Sequence, residues 1–363
     1  MKFDTYGVGI FFPLGSLNDP INKNGTYHLL EHLLFEKNDT EKLKQNIHSH
    51  GGIYNGFTSF EIMGFFSQVM KNNKDSADCF ISSFLTDFEM NEEKLDNEKK
   101  IVEQELTLIS QNIFNKNKQF LYNSLGNEGQ AILGNIDSLK NITLKDLEYA
   151  HNLLKSNYII ANSEDYIANS LKVNSKELKI REIQQNPFKT LLLNKIKSTN
   201  AIVTFAFYLP KIFDIVAEKF ISYFYHKLFL LLREKYQIVY RGEKNKILTS
   251  ELCLYSFSFQ INEKDIEKAV HIFNTVYYNV ISSPETYNEI KKNNFIETNR
   301  KLLSTDNPIG YVKRLAINQI METKQNNSTI EELIEKLELY TPSMIIYSSN
   351  EKMLSKGFEL YEV

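Results

Sequence analysis

His28-Leu29-Leu30-Glu31-His32 is the stretch on which the reading of this chain turns. On a helix, residues four apart share a face, so both imidazoles can reach one metal ion. Glu31 sits beside them, close enough to take a proton from a water. Leu29, Leu30, Leu33 and Leu34 occupy the rest of the surface and anchor the helix in a core, which predicts a helix over residues 26–35. A zinc centre that activates water needs three protein ligands and one open position, so two histidines are incomplete. A longer helix predicted over residues 91–111, with Leu95, Val102, Leu106 and Ile109 as its apolar stripe, supplies candidates. Its Glu98 and Glu105 stand two turns apart on one face, with Ile101 and Val102 between them expected to pack toward the core. Glu105 is taken as the third ligand and Glu98 as an acid that orients a ligand from behind. Most glutamates lie on solvated helix faces, and an isolated HxxEH is also compatible with a satisfied histidine pair. It is the combination that favours a metal.

Outward from this motif, residues 7–14 read as a buried strand ended by a turn at Gly15-Ser16. A second helix is predicted over 39–48, broken at His50-Gly51-Gly52, and followed by strand-like runs at 53–59 and 62–70. Helices follow at 75–88 and at 143–154, the latter with Thr143 as N-cap, then a strand at 158–161. A similar order recurs in the second half: a strand at 201–209, a long helix at 214–235, a strand within 250–261, and helices at 263–280 and 284–303. The reading is therefore an α+β fold of two similar domains, each a mostly antiparallel sheet flanked by helices. The first domain is placed at 1–178 and the second at 179–363, with the polar stretch 174–189 as the boundary.

With 363 residues, two domains are expected on size alone. A composition of 42% hydrophobic and 24% charged residues is globular, and a net charge of -3 gives no field that favours nucleic acid or an anionic membrane. The two cysteines, Cys79 and Cys253, exclude a disulfide scaffold as the main source of stability and fit a reducing compartment. Neither a signal-type apolar region at the start nor a bilayer-length apolar run is present, so the expected location is cytoplasmic.

His28 to His32, followed by Glu98-Lys99-Lys100-Ile101-Val102-Glu103-Gln104-Glu105, resembles the pitrilysin and insulin-degrading enzyme family of inverted zinc peptidases, which includes the mitochondrial processing peptidases. That family carries HxxEH and, roughly seventy to eighty residues on, a helix with two glutamates seven apart, the second being the third zinc ligand. Gly51-Gly52-Ile53-Tyr54-Asn55-Gly56-Phe57-Thr58-Ser59 resembles its edge strand, which implies that Asn55, Gly56, Phe57 and Thr58 bind substrate backbone by strand addition. The segment from Leu133-Gly134-Asn135 to Ile142-Thr143 is similar to the one leading into the last helix of the first domain. Leu232-Arg233-Glu234-Lys235 to Tyr240 resembles the family's LREKxGxxY stretch, with Gln237 in place of the Gly. This implies substrate-contacting roles for Arg233 and Tyr240. The family has further strand before Gly7, so the first sheet is expected to be smaller by an edge.

The resemblance implies a zinc metalloendopeptidase with one Zn2+ per chain, Glu31 as general base and Tyr240 helping to stabilise the oxyanion. Its substrates are peptides or unfolded segments held in a closed chamber, with leader-peptide processing as a dedicated role it could fill. The competing reading is a non-catalytic or partner-dependent subunit of a heteromeric peptidase. Single-chain relatives carry four such units and this chain has room for two. A homodimer, or a heterodimer with a related chain, is therefore expected, Arg233 and Tyr240 of one chain completing the site of the other.

Overall fold

The computed structural model describes residues 3–87, 89–124, 132–171, 189–193, 199–283, 285–286, 288–290, 307–321, 328–339 and 342–361. The chain forms two compact units, and each is discontinuous in sequence. The first comprises Met1–Ser110, Tyr122–Lys179 and Lys301–Lys324; the second comprises Gln111–Leu121, Ile180–Arg300 and Gln325–Val363. The boundary expected at 178/179 lies outside the described residues. Most of the polar stretch 174–189 and of the helix expected at 284–303 lies outside the described residues.

In the first unit, β1 (Thr5–Phe12) is followed by α1 (Thr26–Phe35), α2 (Asn38–Ser49), the hairpin β2 (Ile53–Thr58) and β3 (Met63–Met70), and α3 (Lys74–Ser83). Then come α4 (Glu92–Gln111), α5 (Ile113–Ser124), the short α6 (Ile136–Asn141), α7 (Leu144–Ser156), β4 (Tyr158–Asn162) and β5 (Ile167–Ser170). The five strands lie in the order β2-β3-β1-β4-β5, all neighbours antiparallel, which leaves β2 on an edge. One face of the sheet packs Tyr6, Val8, Ile10, Phe65 and Val69 against Leu29, Leu30, Leu33 and Leu34 of α1, Phe80 of α3 and Phe84 just after it. Full burial of one leucine contributes about 1.5–3 kcal/mol. Four on a single short helix hold its polar face in a fixed position.

The other face is covered from far along the chain. Val312 and Ala316 of the helix Pro308–Ile320 pack on Phe11, Ile159 and Ala161. Gly7 makes room for this helix: a Cβ there would lie 2.6 Å from Cβ of Pro308. The second unit likewise includes part of α5. Asn117 is fully buried and its amide donates to Thr204 Oγ1 at 2.9 Å, while Arg241 lies over the Phe114 ring.

In the second unit, β6 (Lys189–Leu193), β7 (Asn200–Pro210), α8 (Asp214–Leu230), β8 (Val239–Leu248), β9 (Leu252–Asn262) and α9 (Ile266–Ser282) precede the helix Ile330–Leu339, β10 (Ser343–Ser348) and β11 (Glu359–Tyr361). The sheet order is β11-β6-β10-β7-β9-β8. Its β8-β9-β7-β10 segment repeats β2-β3-β1-β4 of the first sheet, antiparallel at each step, so the recurrence read from pattern is a recurrence of topology. β6 pairs in parallel with β10 and β11. The long helix expected to Lys235 ends as an α-helix at Leu230 and continues as a π-helical turn, Leu231–Lys235. Cys79 is exposed and Cys253 buried, and both are free thiols. Among the described residues no helix is long and apolar enough to cross a membrane.

Candidate active site

The helix α1 delivers His28, Glu31 and His32 to one side, and α4 delivers Glu98 and Glu105 opposite them. His28 Nε2 lies 3.2 Å from Glu105 Oε2, and His32 Nε2 lies 3.7 Å from Glu105 Oε1. Ligand atoms of His28, His32 and Glu105 all fall within 4.8 Å of one another. His32 Nδ1 stands 3.1 Å from Glu98 Oε2, so the ring's far nitrogen is held by a buried carboxylate. A partner on that nitrogen fixes tautomer and ring orientation, the role expected of Glu98.

The α4 helix corrects one expectation. Val102, between the two glutamates, is fully buried, but Ile101 is 42% exposed. At about 100° per residue, α4 is rotated so that Val102 faces the core and Ile101 is turned toward solvent. Val102, four residues from Glu98, takes the core.

Strand β2 passes over the site. Thr58 Oγ1 donates to Glu31 Oε2 at 2.6 Å, and a Cβ added at Gly56 would sit 2.8 Å from Glu31 Oε1. Gly56 is therefore where strand and helix approach too closely for a side chain. Asn55, Gly56, Phe57 and Thr58 all lie on this edge strand, whose outer edge meets no strand among the described residues.

The start of α1 depends on Asp19, which the sequence reading missed. Its buried carboxylate accepts from Gly25 N–H at 2.7 Å and Tyr27 N–H at 3.0 Å. Burial pushes its pKa up to about 7, against the pull of those donors and of His28. Gly25 itself sits at φ 94, where a side chain is strained. Asp19 caps the helix from six residues before Gly25, so the usual search at the N-cap position does not find it. Asp19→Ala leaves these N–H groups unpaired and is expected to lower unfolding stability by about 1–2 kcal/mol, read as a lower urea midpoint.

The electrostatics of the cluster are dominated by its carboxylates. Burial pulls the His28 pKa down, but hydrogen bonds to Glu105 and Glu31 outweigh it and raise it to about 9. The His28 hydrogen bond holds the Glu105 carboxyl below its usual range. Three carboxylates surround two imidazoles, an arrangement that calls for a positive charge. Two imidazoles plus a carboxylate form a donor set suited to zinc, so these residues fit such an ion.

Arg233 and Tyr240 belong to the second unit and are not among the residues the first unit brings together. Arg233 lies on the π-helical turn, over the Phe229 ring and 3.9 Å from Glu234. Tyr240 is 64% exposed at a register shift in β8 between Val239 and Arg241. Such a bulge re-aims a side chain. Gln237, at the position where the family pattern has Gly, adopts φ 54, so this chain tolerates a left-handed backbone without the usual residue. The segment from Leu133 to Thr143 forms a turn and α6, and Asn24 O lies close against Gly134.

Comparison with known proteins gives matches in the same direction. The family model described as insulinase, peptidase family M16, matches residues 3–131. A probable mitochondrial-processing peptidase subunit beta of Arabidopsis thaliana is 27% identical over 163 residues, 42% of this chain and 30% of that protein. A protein named zinc protease PqqE of Helicobacter pylori is 26% identical over 164 residues, 42% of this chain and 36% of that one. The match thus spans about a third of the length of these curated relatives. Over the whole fold, the crystal structure of a protease from Helicobacter pylori is similar with TM-score 0.77 and 17% identity, covering 96% of this chain and 95% of that chain.

Proposed function

We propose, from the premise that this chain belongs to the insulinase family of peptidases, family M16, that it is a zinc-dependent endopeptidase acting on peptides or unfolded segments. The observation that carries the reading is the convergence of His28, His32 and Glu105 within 4.8 Å beside Glu31. His28, His32 and Glu105 would hold the ion. When bound, zinc polarises a peptide carbonyl and lowers the pKa of a water toward neutrality.

The remaining work falls to the chain's own residues. Glu31 takes the proton of the attacking water and passes it to the amide nitrogen as the C–N bond breaks. The Thr58 hydroxyl, donating to Glu31 Oε2, orients the carboxylate. The edge of β2 holds the substrate backbone as an added strand, which tolerates many side chains because the bonds are to main chain. Glu98 steadies His32 through Nδ1.

The chain acts as a dimer in this reading, as a homodimer or with a related chain, with Arg233 and Tyr240 of one chain completing the zinc site of its partner. Location in the cytoplasm and trimming of a leader peptide remain part of the proposal. The direct test is incubation of the zinc-loaded protein with unfolded peptides, read by mass spectrometry. Cleavage at internal bonds, abolished by a chelator and restored by zinc, is the expected result. Cleavage that persists after complete metal removal contradicts it.

A further inference from the structure

Strand β2 has two faces, and the mechanism uses one. Gly56 and Thr58 face Glu31. Side chains alternate along a strand, so Asn55 and Phe57 face the opposite way. On that side the Phe57 ring packs near Phe11, and the helix Pro308–Ile320 brings Lys313 over it. The Lys313 ammonium sits 3.8 Å from the centre of the Phe66 ring and 5.0 Å from that of Phe57. It is half-buried, and among the described residues it makes no ion pair or hydrogen bond. Burial holds its pKa below the ordinary lysine value. Two aromatic faces compensate an ammonium only in part. A cation left this way beside an open strand edge is placed for an anion that arrives with a ligand.

A peptide added to β2 brings its own alternation. Residues facing the metal ligands alternate with residues facing Phe57. Directly opposed side chains on neighbouring strands start about 4.5–5.5 Å apart, within reach of the flexible stem of a lysine. We infer that Lys313 forms an acid-preferring subsite on the far face of the β2 edge, taking the Asp or Glu side chain of the substrate residue that lies across from Phe57. This rests on the peptidase reading and adds to it a class of substrate: peptides with an acidic residue at one position whose side chain points away from the metal ligands.

The test measures binding, so that chemistry does not enter. Fluorescently labelled host peptides carry a single Glu, walked residue by residue, each paired with its Gln counterpart. Binding to the zinc-loaded Glu31→Gln chain is read by anisotropy. At one position the Glu peptide should bind about tenfold tighter than its Gln partner, the scale of a charge-assisted hydrogen bond at a partly exposed site. In Lys313→Met that ratio should fall to about one, in Lys313→Glu it should invert, and in Lys313→Arg it should persist. A ratio near one at every position in the chain with Lys313 intact overturns the inference alone, as does a preference that survives Lys313→Met. Failure of every peptide to bind overturns the inference together with the peptidase reading.

Discussion

Glu31→Gln should reduce peptide cleavage by roughly a hundredfold or more while the fold and the zinc content stay as they are, the scale on which general-base catalysis is lost. Glu31 lies between the two histidines in sequence, yet its carboxylate is held by Thr58 and is not one of the group His28, His32 and Glu105. Gln keeps the shape and can still accept the Thr58 hydrogen bond, but it cannot take a proton. Changes in kcat and in bound zinc therefore separate the two roles a glutamate can play here. Full activity in a zinc-replete Glu31→Gln protein rules the base out; loss of zinc together with activity makes Glu31 a ligand.

Mixing Glu31→Gln chains with Tyr240→Phe chains should restore activity that neither variant has alone. Tyr240 is exposed on an irregular edge strand of the second unit, with no role in that unit's core. Loss of an oxyanion donor costs about a hundredfold or more in kcat. In a two-fold pair with sites composed across chains, a mixed dimer holds one intact site and one doubly damaged site. Random exchange gives mixed dimers half the time, so recovery approaches roughly a quarter of the unmutated activity. No recovery after re-equilibration, with both variants folded and dimeric, means that each site is completed within one chain or by an unrelated partner.

Much of the first unit was legible because its signals are local. The helix Thr26–Phe35 was read to the residue, since four leucines and two histidines divide its surface cleanly. Thr143 caps α7 as expected, with Asp146 closing the capping box. Strand β8 was missed as a strand: Arg241, Gly242, Glu243, Lys244, Asn245 and Lys246 are polar because an edge strand buries little. Helix Pro308–Ile320 was not read as a helix, and its residues were placed in the second domain, since nothing in their pattern says that Val312 and Ala316 pack against Phe11. The same distance in sequence hid Lys313. Asp19 was unreadable for a related reason, because its bonds to Gly25 and Tyr27 depend on how an irregular loop folds back. Of the site, motif spacing picked out His28, Glu31, His32, Glu98 and Glu105. Which face of α4 carried Ile101 needed the actual rotation of that helix.

Metal analysis of the purified protein is the most direct measurement. After equilibration with zinc and removal of the excess, the unmutated chain should hold about one zinc per molecule. Glu105→Gln, treated in the same way and still folded, should leave most chains without metal. A chain that keeps no zinc, or a Glu105→Gln variant that keeps a near-stoichiometric amount, contradicts a centre built from His28, His32 and Glu105.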